Sequence, residues 1–167
     1  MPRSPRSVIA LLLLAAAVAV AVAAVPIATA VPATPAKAKP TPKVANPTKE
    51  GRRLATRFFT LLDGKPSPAL KRFLSPAFQL QRADGTTATR AEYLKSTIAN
   101  VKSFSFTKVR GTIQGSSLVV TYTAVTDQII DGKVYKKDPA PRLSVFHWDG
   151  RAWRLIAHAN FNTPVVS

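Results

Sequence analysis

The chain contains no cysteine and few acidic residues. Without cysteine there is neither a disulfide nor a thiolate metal ligand, so the fold has to be explained by packing alone. The 8 Asp and Glu residues are outnumbered by 24 Lys and Arg, which gives a net charge of +16 over 167 residues. Such a charge favours attraction to polyanions, including anionic lipid headgroups and cell-envelope polymers.

The few carboxylates stand mostly where they serve local structure. Glu50 and Glu92 fall in the first turns of predicted helices, where negative charge is favourable. Four aspartates precede glycine, a pattern typical of turns: Asp63, Asp84, Asp131 and Asp149. No two carboxylates are spaced as an acid–base pair. Asp127, near the end of a predicted strand, is the acidic candidate for a catalytic base.

The N-terminus has the pattern of a secretory signal peptide. Arg3 and Arg6 precede the uncharged run VIALLLLAAAVAVAVAAV, and the small residues Ala28-Thr29-Ala30 follow. We therefore predict a signal peptide over residues 1–30. The run of 18 residues also reaches the lower limit for a membrane span, so an uncleaved anchor stays open. Both alternatives predict an extracytoplasmic protein, either secreted or anchored.

A segment rich in Pro, Ala and Lys, residues 31–47, follows and is predicted to be a linker. We predict a domain over 48–162 and a short tail over 163–167. Five lysines of the linker and of a long loop are the expected contacts with an anionic polymer or membrane surface: Lys37, Lys39, Lys43, Lys136 and Lys137. Nucleic acid is not an expected partner, because the aromatic residues fall at core spacing rather than between basic residues.

Periodicity within the domain predicts helices first and strands afterwards. Helical spacing begins near Thr48, a cap stands at Ser67-Pro68, and a capping box runs from Thr89 to Glu92. Alternation predicts strands at 78–81, 104–114, 118–128, 142–148 and 153–161. The fold class is therefore α+β, with three helices packed on one face of a bent antiparallel sheet.

The segment DGRAWRLIAHANFN predicts a hairpin turn and a last strand. Pairing Trp148 with Trp153 places two sets of side chains on opposite faces. The predicted core face carries Phe146, Trp148, Trp153, Leu155, Ala157 and Phe161. The predicted mixed face carries Leu143, Val145, His147, Arg154, Ile156, His158 and Asn160. On this mixed face, His158 and Asn160 could be pocket groups, dimer contacts or solvated strand-end residues.

Tyr122 on the neighbouring strand could join His158 and Asn160, because a buried tyrosine usually needs a partner for its hydroxyl. Together they would bind a carbonyl or hydroxyl group of a ligand, or form a satisfied polar patch. The same register sets His147 and His158 roughly 13 Å apart, too far to share a metal. We therefore expect neither a metal site nor a cofactor.

Two stretches resemble the nuclear-transport-factor-2-like (NTF2-like) superfamily, in its SnoaL-like and DUF4440-type branch. They are LSPAFQLQRADGTTATRAEYL, residues 74–94, and LSVFHWDGRAWRLIAHANFN, residues 143–162. The resemblance implies a cone-shaped fold with a pocket between sheet and helices. It does not fix an activity, because members include isomerases, polyketide cyclases, dehydratases and non-catalytic binding or assembly domains.

The sequence therefore leaves three functions open. The first is an exported, non-catalytic binding or assembly domain with a small apolar pocket and a homodimer formed through the sheet. The second is a small isomerase, cyclase or dehydratase acting on an apolar ring compound, with His158 or Asp127 as its base. The third is a basic protein that binds an anionic envelope polymer or lipid surface.

Overall fold

Three helices form where helical spacing and two capping signals predict them. In the computed structural model, which describes residues 41–96, 98–130, 132–135 and 137–161, they are α1 (Pro47–Thr60), α2 (Pro68–Phe73) and α3 (Arg90–Lys95). The Asn46 side chain accepts a hydrogen bond from the Lys49 amide at the start of α1, and the full capping box of Thr89 and Glu92 starts α3. Ser67 caps α2 in the same way. Each helix thus begins after a residue with a short polar side chain that accepts a hydrogen bond from the helix backbone.

Several predicted segments lie outside the described residues. These are the signal peptide, most of the linker, the tail, and the lysines Lys37, Lys39 and Lys136. Among the described residues, no helix is long and apolar enough to cross a membrane.

The strands build one mixed sheet. They are β1 (Leu74–Gln81), β2 (Thr87–Thr89), β3 (Asn100–Gln114), β4 (Ser117–Ile130), β5 (Lys133–Tyr135), β6 (Ala140–Trp148) and β7 (Trp153–Asn160). Their order is β2-β1-β7-β6-β4-β3, and β5 pairs with the C-terminal end of β4. The long strands form an antiparallel meander in the order β3-β4-β6-β7, but the sheet predicted as antiparallel is mixed, because β1 pairs parallel with β7. No hairpin joins these two strands, so no turn forces them to run in opposite directions.

Helices cover one face of the sheet and the core lies between the two layers. Helix α1 packs against β3 and β4, α2 against β1 and β7, and α3 against β1 and β2. The approach of α1 is close: a Cβ atom on Gly51 would lie 2.7 Å from a methyl group of Val120. Phe58, Phe78 and Phe146 are fully buried in this core.

A bulge in β7 overturns the predicted faces of the last hairpin. Val145 pairs with Ala157, but Phe146 pairs with Leu155, so Ile156 is an extra residue without a partner on β6. Beyond the bulge, the alternation is inverted. His158 therefore faces inward like Leu155.

The residues that were predicted to share the core face beyond the bulge lie elsewhere. Ala157 pairs with Val145 on the outer face, and Phe161 is 57% exposed. The predicted pairing of Trp148 with Trp153 and of His147 with Arg154 is confirmed, because these residues precede the bulge.

Candidate functional site

A cavity of about 520 Å³ lies between the helices and the inner face of the sheet. Its apolar wall comes mainly from α1, β1 and α3, with Phe58, Phe59, Leu80 and Tyr93. Its polar lining comes from the strands: Thr126, Gln128, Tyr135, Arg142, His158 and Asn160. This volume and the mixture of an apolar wall with a few polar groups are typical of small-molecule sites.

His158 ends a hydrogen-bond chain that runs across three strands. The Tyr122 hydroxyl lies 3.0 Å from Oγ of Ser144, and this Oγ lies 2.9 Å from Nδ1 of His158. All three side chains are buried, and Ser144 is wholly inaccessible. If the phenol donates to Ser144, then Ser144 donates to Nδ1, and the His158 proton is on Nε2.

The surroundings keep His158 neutral. Its pKa is lowered to about 3, chiefly by burial and also by the nearby Arg142 cation, while Asn160 partly opposes the shift. Burial likewise raises the pKa of the Tyr122 phenol, against the smaller opposing effect of its bond to Ser144. At neutral pH the hydrogen-bond chain of Tyr122, Ser144 and His158 therefore consists of uncharged groups.

Arg142 is the buried charged residue of the cavity, whereas Arg82 and Asp84 line it at the turn between β1 and β2. Only 7% of Arg142 is exposed, and burial lowers the pKa of its guanidinium. Its Nη1 donates to the Pro141 carbonyl at 2.9 Å, and it forms no ion pair within the described part of the chain. Asn160 pairs with it across the strands, and Oδ1 of Asn160 is buried without a hydrogen-bond partner.

The structure brings some of the predicted site residues together and separates others. His158 and Asn160 line the cavity, whereas Tyr122 lies behind its wall and reaches His158 only through Ser144. Asp127 does not line the cavity and forms an ion pair of 2.8 Å with Lys137. Lys43 is exposed ahead of α1.

Two residues of the site, Ser144 and Arg142, were missed in the sequence. Both alternate with outward-facing residues along β6, so they share the inward face with Phe146. That alternation was visible in the segment APRLSVFHW, where polar residues occupy the inward positions. A strand whose inward side is partly polar is itself a signal of a lined cavity.

No group of three or more His, Cys, Asp or Glu side chains that could hold a metal occurs among the described residues. The carboxylate at the cavity belongs to Asp84, whose pKa is lowered by hydrogen bonds from Thr86 within its own exposed turn.

Solved structures with the same fold are similar to the chain over most of their lengths. An NTF2-like protein from Cytophaga hutchinsonii is 14% identical with a TM-score of 0.61, covering 71% of this chain and 99% of that one. A protein from Exiguobacterium sibiricum, described as a Ca/calmodulin-dependent kinase II association domain, is 16% identical with a TM-score of 0.59, covering 75% and 98%. One from Parabacteroides distasonis, described as a ketosteroid isomerase, is 12% identical with a TM-score of 0.52, covering 70% and 87%.

No protein-family model matches the chain, and no curated protein matches it. At these identities the solved structures show the fold alone, and that fold is the NTF2-like cone. Proteins of this fold carry descriptions as different as an isomerase and an association domain. The function therefore has to be argued from the cavity.

Proposed function

We propose that this chain is an exported, non-catalytic domain that binds a small, mainly apolar compound in its cavity and self-associates through the sheet. The observation that carries the proposal is the cavity itself, in which an aromatic wall faces a buried polar end. Phe58, Phe59 and Tyr93 supply contact area, and His158 and Asn160 supply directional contacts. Export is supported by the signal-peptide pattern of residues 1–30.

The protonation states argue against catalysis. A general base works best when its pKa is near the operating pH, and the pKa of His158, about 3, is far below it. Asp127, the other candidate base, is held by Lys137 and does not line the cavity. A neutral histidine of this kind is suited to hydrogen-bonding a ligand rather than to removing its protons.

A ring ketone tests binding and catalysis in one experiment. 2-Tetralone is titrated into the full-length protein in deuterated water and followed by proton NMR. We expect the His158 ring signals to shift while the ketone's α-protons exchange no faster than in buffer. Exchange that the protein accelerates and that His158→Gln abolishes would instead establish the isomerase-like alternative. Unshifted signals of His158 at high ketone concentration would refute binding in the cavity.

The outer face of the sheet supports self-association with a second copy of the chain. Val119, Val145 and Ala157 form one cross-strand row, and Leu143 and Ala159 belong to the next. Val119 is 39% exposed. Similar structures include proteins described as association domains, which favours a homodimer over an unrelated partner.

The net charge of +16 supports one further candidate, binding to an anionic envelope polymer or lipid surface. Such binding would weaken steeply with salt, whereas ligand binding in a buried cavity would not. Sedimentation with anionic vesicles at low and high salt separates the two.

A further inference from the structure

We infer that the cavity ligand is an apolar acid, whose carboxylate binds the guanidinium of Arg142. This inference rests on the proposed binding function and names the class of ligand. It follows from a buried cation that the described part of the chain leaves without a counter-ion, at the polar end of an otherwise apolar cavity.

Arg142 carries a buried positive charge. A buried charge is costly unless it is paired, and arginine is rarely buried without a partner. One backbone carbonyl, from Pro141, is the acceptor that the guanidinium has. This group carries five donors in a fixed fork, so most of its donor capacity remains for another partner. No carboxylate shifts its pKa, since burial and the Tyr122 phenol are the two influences on it.

The Arg142 side chain is located at the cavity, yet only 7% of the residue is exposed. The cation therefore meets a ligand in the cavity rather than bulk solvent. Its fork matches the two oxygens of a carboxylate, which it can bind through two parallel hydrogen bonds.

The other polar groups of the cavity add no competing charge at its buried end. His158 stays neutral next to Arg142, so it adds no second positive charge and can still form a neutral hydrogen bond. Asp84, the carboxylate at the cavity, is engaged by Thr86 in an exposed turn. The buried end of the cavity thus carries the single formal charge of Arg142, which suits a monoanion, while Arg82 and Asp84 line the cavity at the turn between β1 and β2.

Asn160 refines the class of ligand. Its Oδ1 is a buried acceptor that receives no hydrogen bond of good geometry, so its interaction with His158 leaves it able to accept another. Asn160 pairs directly with Arg142 on the adjacent strand. A buried acceptor of this kind is satisfied by a donor on the ligand. A hydroxyl group next to the carboxylate would supply that donor, so a hydroxy acid should bind better than the unsubstituted acid.

The test uses three compounds of nearly equal size: phenylacetate, mandelate and 2-phenylethanol. Each is titrated into the full-length protein at neutral pH, and its affinity is read from the shifts of the His158 ring signals. We expect phenylacetate to bind roughly 10- to 100-fold tighter than the neutral alcohol, as befits a hydrogen bond to a charged group. Mandelate should bind tighter again.

Arg142→Met removes the charge and keeps an apolar side chain of similar length. This variant should bind phenylacetate and 2-phenylethanol with equal affinity, because the preference for the acid is lost with the charge. Arg110→Met is the matched control, because Arg110 is exposed on β3 and does not line the cavity. It should keep the full preference for the acid. A thermal melt of each variant checks that it is folded.

The possible results distinguish the acid inference, the proposed binding function and the role of Asn160. Equal binding of phenylacetate and 2-phenylethanol by the unmodified protein overturns the acid inference, while the proposed binding function stands. The acid inference is also overturned if Arg110→Met loses the preference for phenylacetate as completely as Arg142→Met does. The preference would then reflect attraction to the overall positive charge of the protein. Binding of none of the three compounds, nor of 2-tetralone, overturns both proposals. Mandelate binding no tighter than phenylacetate overturns the role of Asn160.

Discussion

Oγ of Ser144 on β6 lies 2.9 Å from Nδ1 of His158 on β7, and the two residues face each other in the strand register. Ser144 also contacts the Tyr122 hydroxyl on β4. One small hydroxyl therefore satisfies two larger buried polar side chains. It links the three central strands behind the wall of the cavity.

Replacing Ser144 by alanine should destabilise the fold more than replacing Tyr122 by phenylalanine. Ser144→Ala leaves both the phenol and Nδ1 of His158 unsatisfied, and each buried unsatisfied group costs about 1–3 kcal/mol. In Tyr122→Phe, the hydroxyl of Ser144 keeps His158 as its partner. Urea unfolding monitored by tryptophan fluorescence gives both values. Equal losses would show that the chain Tyr122–Ser144–His158 is not a connected unit.

Acid should destabilise the protein partly through His158. Its pKa is about 3 when folded against about 6.5 for an unfolded histidine, so the unfolded state binds the proton first. Stability is then complete above pH 6.5 and falls as the pH decreases toward 3, by at most about 1.4 kcal/mol per pH unit.

The comparison of two histidine variants isolates this effect. Between pH 6.5 and 5, the free energy of unfolding of His158→Gln should fall less than that of the unmodified protein. His147→Asn, which removes the histidine on the other face of the hairpin, is the matched control. If both variants retain the original slope, His158 is accessible to protons in the folded state.

Gly111→Ala should weaken the docking of α1. A Cβ atom at this position would overlap the carbonyl of Pro47 at the start of the helix, and the Gly111 amide donates to Oγ1 of Thr48. Because the obstacle is backbone, the helix has to move, at a cost of roughly 1–3 kcal/mol. The neighbouring Thr112→Ala, at an exposed position, is the matched control in a thermal melt. Phe58 and Phe59 belong to α1, so ligand affinity should fall in Gly111→Ala as well.

Val145→Glu should abolish self-association without unfolding the protein. The change introduces a charge into the apolar row between Val119 and Ala157 on the outer face. Thr56→Glu introduces the same charge on the exposed side of α1 and should leave the association intact. Analytical ultracentrifugation over a range of protein concentrations gives the oligomeric state. A dimer that survives Val145→Glu would place the interface elsewhere.

Much of the fold follows from local signals. Short polar caps such as Asn46, Ser67 and Thr89 set the helix starts, and the turn at Gly115, whose φ is 55°, joins β3 to β4 where the sequence predicts. Each of these signals acts over two to four residues, so each can be read from a short window.

The orientation of the last strand could not be read in this way. The bulge at Ile156 shifts the register by one residue, and such a shift moves every later side chain to the other face. Nothing local in RLIAHAN marks that position. The inward position of His158, and its closeness to Ser144 and Arg142, depend on pairing between strands that is not encoded in a short window of sequence. The residue types of the sequence thus identify His158 and Asn160 as candidate site residues, but they do not predict how these side chains are arranged.

The parallel pairing of β1 with β7 also has a consequence for synthesis. Leu74 pairs with Leu155, and β7 lies in the sheet between β1 and β6. Until the last strand has left the ribosome, β1 has no β7 to pair with and the cavity lacks His158 and Asn160. The domain therefore cannot mature progressively from its N-terminus, and we expect its closure to be a late, slow event that requires the whole chain.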